Sequence, residues 1–153
     1  MKTIAYCIML IATLEFGVCS CSYNRKDVVK TYEDTRDFHG CNLYGLNLTE
    51  LNLKYANFEE ANLENVDLRD AKLDFVNFRN AVLKSAKFYG AVSFVGADFR
   101  GADLRQAKFE RAILLNSILH DSTTRIEGAE GLFKTQKELD DYGEKVMEYF
   151  FTH

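Results

Sequence analysis

The chain has 153 residues, a formal net charge of −4, four cysteines and no proline or tryptophan. That length suits one domain, and 19 basic against 23 acidic side chains give neither the basic surface of a nucleic-acid binder nor the dense negative charge of a duplex mimic. No zinc-ligand spacing, Gly-rich phosphate loop or nucleophile elbow occurs, so the motifs point away from catalysis, cofactors and metals.

Residues 1–20 differ in composition from the rest. Met1 and Lys2 make a short basic start, Ile4 to Leu14 form an eleven-residue apolar run, and Val18-Cys19-Ser20 precedes Cys21. The run falls short of the roughly 20 apolar residues a bilayer span needs, and the small residues behind it fit a cleavable secretory signal. Val18-Cys19-Ser20-Cys21 also resembles a bacterial lipobox, in which the cysteine becomes the lipidated N-terminus. The expectation is export, with Cys21 carrying a lipid anchor at the cell envelope. An ordinary signal cut before Cys21 or Tyr23, giving a secreted or periplasmic protein, is the alternative.

Residues 21–35 are polar, with Val28, Val29 and Tyr32 spaced to form one face of a short helix. They read as a tether, a cap over the sheet edge that follows, or both.

From Arg36 to Asp121 a bulky apolar residue returns every five positions. The series is Phe38, Leu43, Leu48, Leu53, Phe58, Leu63, Leu68, Leu73, Phe78, Leu83 and Phe88, then, after one extra residue near Ala91 and Val92, Phe94, Phe99, Leu104, Phe109, Leu114 and Leu119. Two places before each stands a small or apolar residue such as Ala56, Ala61 or Val66, with Arg36 the exception. A straight helix cannot hold this register, since five steps of about 100° turn each bulky residue about 140° from the last. A straight strand fails because five is odd. A short extended piece followed by a turn fits, with the bulky residue and its small partner both facing inward. Phe38, Phe58 and Phe78 lie twenty apart, and Phe99 continues the series past the extra residue, so like stacks on like every fourth repeat.

Ala56-Asn57-Phe58-Glu59-Glu60-Ala61-Asn62-Leu63 and Gly101-Ala102-Asp103-Leu104-Arg105 resemble the pentapeptide-repeat family. The resemblance covers residues 36–121 and implies an all-β solenoid, a right-handed quadrilateral β-helix. At about 4.8 Å per layer, a little over four coils would stand about 20 Å tall.

Among outward residues, Asn42, Asn47, Asn52, Asn57, Asn62 and Asn77 precede bulky ones, where Asn can bond the local turn or form ladders between coils. Gly40, Gly45, Gly90, Gly96 and Gly101 fall at corners, where positive φ costs Gly little. Tyr55 and Phe75 are corner residues twenty apart and should stack, as a partner patch or under a terminal segment. Glu59, Glu60, Glu64, Asp70 and Asp74 alternate with Lys and Arg as a solvated face does. Cys41 takes an inward place and reads as a small buried residue. His39 and His120 fall at opposite ends of the stack, too far apart to share a metal.

Residues 122–153 read as a loop and an amphipathic helix. Thr135-Gln136-Lys137-Glu138 forms a capping box, and Leu139, Tyr142, Val146, Met147 and Phe150 recur at helical spacing. This C-terminal helix is expected to cap the last coil, whose outward Ile113, Leu115 and Ile118 need cover, or to pair two copies as a homodimer.

The function expected is that of a non-enzymatic, lipid-anchored scaffold at the bacterial envelope, bound to the membrane through Cys21 and to an unknown protein partner. The alternative, which the family resemblance implies, is a cytoplasmic, DNA-mimic-like modulator of DNA gyrase. Residues 36–121 carry eleven Lys or Arg against twelve Asp or Glu, a poor match to one negative charge per roughly 1.7 Å of duplex.

Overall fold

The computed structural model describes residues 23–90, 92–112, 114, 117 and 123–131. It opens on helix α1 (Arg25–Asp34). Asn24 Oδ1 accepts from the amides of Lys26 and Asp27 at 2.9 and 3.2 Å, and the Asp27 carboxylate accepts from the Asn24 amide at 3.1 Å. This reciprocal pair satisfies N–H groups that a helix start leaves without partners. At the other end Arg36 takes a left-handed φ of 57° and donates to Thr31 O, closing the helix. Its place before Phe38 is therefore the exit of α1, which explains the break in the small-residue rule.

From Asp37 the chain winds as a β-helix. Parallel bridges join each residue before a bulky one to its counterpart one coil on, as in Asp37–Asn57–Asn77–Asp98 and Asn42–Asn62–Val82–Asp103–Arg125. Two more columns, Asn47–Asp67–Lys87–Lys108–Glu130 and Asn52–Lys72–Ser93, complete the four sides of a coil. We call these sides 1 to 4, in the order Asp37, Asn42, Asn47, Asn52. Each side is too short for a regular strand. The bulky residue donates upward, as Phe38 N does to Asn57 O at 2.7 Å, and a tight turn follows at once.

The turn fixes the five-residue period. Cys41 N donates to Phe38 O at 3.0 Å and Ala61 N to Phe58 O at 3.1 Å, and the third turn residue has positive φ, as in Gly40 (63°) and Glu60 (58°). A hydrogen-bonded turn with positive φ only at that place is type II. Gly fills it at some corners, but Glu50, Tyr55, Asn65, Phe75, Ser85 and Arg111 adopt it too. For residues with a Cβ the left-handed region costs roughly 1–2 kcal/mol each. Burial of the inward residues offsets that cost: every bulky residue from Phe38 to Phe109 is at most 1% exposed.

The core is a set of columns. Phe38, Phe58, Phe78 and Phe99 stack at centroid separations of 4.8, 5.5 and 5.1 Å, and Phe88 and Phe109 stack at 4.8 Å. The expected irregularity lies where the sequence puts it, since bridges step by 20 residues up to Lys87 and by 21 for Lys72–Ser93 and Asn77–Asp98. Gly90, at the junction, has φ 102°, apart from the other corners.

The stack runs past the expected boundary at residue 121. Arg125 and Glu130 bridge to Asp103 and Lys108, a step of 22. On side 1, Thr124 Oγ1 accepts from Gly101 N at 3.0 Å and lies 3.3 Å from Phe99 O, so a side chain stands where the next coil's backbone would be. The expected C-terminal helix lies outside the described residues, as do Ile113, Leu115, Ile118 and His120.

Helix α1 closes the lower end. Val28 and Thr31 are buried against the first coil, and Tyr23 packs edge-on against Phe38 at 6.5 Å. The Arg25 guanidinium donates to Asn47 O at 3.0 Å and Thr49 O at 2.7 Å, and Tyr32 Oη to Lys54 O at 3.1 Å. These are the downward carbonyls of the lowest rungs of sides 3 and 4, which a further coil would otherwise engage.

Candidate functional site

Tyr55 and Phe75 share one corner, as their spacing predicts. Their rings are 5.2 Å apart and within 5° of parallel, and the residues are 58% and 51% exposed. Both backbones are left-handed, at φ 64° and 58°. One coil higher stands Gly96, where an added Cβ would lie 2.6 Å from Phe75 Cδ1. Gly96 therefore supplies room for the Phe75 ring as well as a positive φ of 68°. The rings' inner faces cover each other and Gly96 lies against the upper face of Phe75, so the ring edges meet solvent.

Beneath this corner lies a group that the sequence reading placed on the solvated face. Asp74 is only 7% exposed. Its carboxylate meets Lys54 Nζ at 2.6 Å, accepts a short hydrogen bond from Ser93 Oγ and accepts from Val95 N at 3.2 Å. Lys54, Asp74 and Val95 immediately precede Tyr55, Phe75 and Gly96, so the carboxylate ties three coils together under the aromatic corner. Burial pushes the Asp74 carboxyl up, but Lys54, Ser93 and the Val95 amide together outweigh it and hold the group below the usual aspartate range. The bond to Asp74 correspondingly raises Lys54. The signal was available in outline, because Lys54 and Asp74 are twenty apart and must stack.

Other outward polar residues satisfy one another. Asn57 Oδ1 accepts from Glu59 N at 3.2 Å and from Asn77 Nδ2 at 3.0 Å, while Asn57 Nδ2 donates to Asp37 Oδ1 at 3.0 Å. Both expected Asn roles thus occur in one residue. Asp67, Asp98 and Asp103 each grip the Arg two places on, Arg69, Arg100 and Arg105, through paired hydrogen bonds of 2.6–3.1 Å. Such forks hold planar side chains flat on the wall.

Cys21 lies outside the described residues. Cys41 is buried, and its thiol donates to Tyr23 Oη at 3.5 Å. His39 is exposed, 3.8 Å from Glu60. Among the described residues no three His, Cys, Asp or Glu side chains gather as metal ligands, and no helix is long and apolar enough to cross a membrane.

A four-sided coil built from five-residue turns defines a class of repeat protein, and the family comparison agrees. Models described as pentapeptide repeats match residues 37–70 and 61–92 and, in a second form, residues 83–125. The chain belongs to the pentapeptide-repeat family, whose fold is the right-handed β-helix. Among solved structures, it is similar to a pentapeptide repeat protein of the Arabidopsis thaliana thylakoid lumen, with 22% identity over 72% of this chain and 75% of that one and a TM-score of 0.48. A pentapeptide repeat protein from Nostoc PCC 7120 shares 26% identity over 78% and 93% of the two chains, with a TM-score of 0.41. A trypsin-treated variant of QnrB1, a plasmid-mediated fluoroquinolone resistance protein, shares 23% over 69% and 60%, with a TM-score of 0.31. The search of curated proteins returned no match.

Proposed function

We propose that this pentapeptide-repeat protein is a non-enzymatic scaffold of the bacterial cell envelope, exported and anchored through a lipid on Cys21, with Tyr55 and Phe75 as the centre of its partner surface. The observation that carries the scaffold reading is the aromatic corner itself. Two bulky rings stand in left-handed turns, more than half exposed, at places where Gly serves elsewhere. Stacked aromatic pairs contribute about 0.5–1.5 kcal/mol, of the same order as the backbone cost they incur, so stability alone gives little reason to keep them there. Export rests on the apolar run Ile4–Leu14 and on Val18-Cys19-Ser20-Cys21. Residues 136–151 form the upper cap in this reading, as α1 forms the lower.

Intact mass and membrane fractionation of the protein from a bacterial host, beside Cys21→Ser, test the anchor. A mature chain beginning at Cys21 with added acyl mass, lost in the variant, is expected. An unprocessed soluble chain would overturn it and bring forward the gyrase reading, which a supercoiling assay then decides. For the surface, joint replacement of Tyr55→Ser and Phe75→Ser is expected to keep the fold and weaken partner capture. Unchanged capture of every partner would remove the patch.

A further inference from the structure

Resting on the lipid-anchor reading of Cys21, we infer that the α1 end of the solenoid sits directly against the bilayer, so that the stack stands on the membrane by its lower end rather than hanging from a flexible stalk. Residues 21–35 contain almost no stalk. Tyr23 is already part of the folded body, packed against Phe38 and bonded to Cys41. Asn24 caps α1 and Arg25 is clamped to Asn47 and Thr49. Between a lipid on Cys21 and the seated Tyr23 there remains only Ser22. At about 3.3–3.6 Å per residue, Cys21 lies within about 7 Å of Tyr23.

The contacts of Tyr23, Arg25 and Tyr32 with the coils fall on lowest rungs. Phe38 belongs to the first coil on side 1, Asn47 and Thr49 to the first on side 3, and Lys54 to the first on side 4. The anchor thus emerges beneath one end of the stack. Charge does not produce this seating: α1 carries Arg25, Lys26 and Lys30 against Asp27, Glu33 and Asp34. Tether length produces it: while the lipid is inserted, a cysteine two residues from the folded body holds that end of the body at the bilayer surface. Tyr55, on the lowest rung of side 4, then faces sideways about one helix diameter, roughly 10–12 Å, above the headgroups. Positions higher on the same corner follow at about 4.8 Å per coil, beginning with Phe75.

The test uses acylated full-length protein in phosphatidylethanolamine–phosphatidylglycerol vesicles bearing a headgroup nitroxide. A fluorophore is placed by Lys30→Cys at the lower end or by Glu127→Cys at the upper end, each labelled in the folded protein, where Cys41 is buried. Quenching is expected to be several-fold stronger at the lower site. A twenty-residue Gly-Ser insert between Ser22 and Tyr23, spanning about 25 Å as a random coil, should bring the two sites toward equality. Equal quenching without the insert, in protein whose acyl mass is verified, would overturn the seating and leave the anchor standing. A chain without acyl mass would overturn both.

Discussion

Asp74 shows how a repeat turns a surface carboxylate into a structural one. Read singly it is one of several acidic residues in a charged wall; read by columns it lies between Lys54 and Ser93. Asp74→Asn keeps the shape but removes the charge, and at pH 7 is expected to cost about 1–3 kcal/mol in denaturant unfolding. Because the folded carboxyl is held below its usual value, its stabilisation is complete above the unfolded value near 3.9 and fades as pH falls through the lowered folded one. The gap between wild type and variant should therefore close below about pH 4. Corner backbones permit a second comparison. Glu50, at φ 63°, is an exposed non-Gly corner, and Glu50→Gly is expected to stabilise by up to about 1 kcal/mol, the relief of strain less the added freedom of the unfolded chain. Gly96→Ala should go the other way by about 1–3 kcal/mol, since its new methyl meets the Phe75 ring and its φ stays positive. The sequence marks the Gly corners plainly. It does not mark the occupied ones, because a Glu or Tyr in a left-handed turn looks like any polar or aromatic residue until the period assigns it there.

At the level of elements, the inward columns and the lower helix were legible for the same reason: apolar spacing reports which residues share a face. Phe58 lies between Phe38 and Phe78 with no exposed surface, and Phe58→Ala is expected to cost about 3–5 kcal/mol by thermal or denaturant melting. The clamp between α1 and the first coil was not legible, since it joins the Arg25 side chain to backbone carbonyls that carry no sequence signature. Arg25→Ala should loosen the lower end alone. Amide exchange is expected to quicken at Leu48 and Glu50, which bond the first coil to the second, and to stay unchanged at Ser85 and Gln106. The continuation through Arg125 and Glu130 escaped the periodic reading because the 22-residue step throws the bulky series out of phase.

Across the whole molecule, the period and the inward residues were readable in the sequence, while contacts that depend on which side lies above which needed the coils. Side identity follows from a count, since residues twenty apart share a column until the extra residue beyond Lys87. Changes in length therefore act as arithmetic on the molecule. Deleting residues 61–80 should give a shorter solenoid in which Phe99 rests on Phe58 and Gly96 covers Tyr55. Deleting residues 61–75 keeps the alternation of inward and outward but turns every later residue onto another side, setting Phe78 over Leu43. Both variants are expected to melt cooperatively, and a structure of each would tell them apart. The chain in effect counts modulo twenty. A remainder of zero changes only its height, a remainder of one is absorbed by the bend at Gly90, and a remainder of fifteen redraws its whole surface without breaking its core.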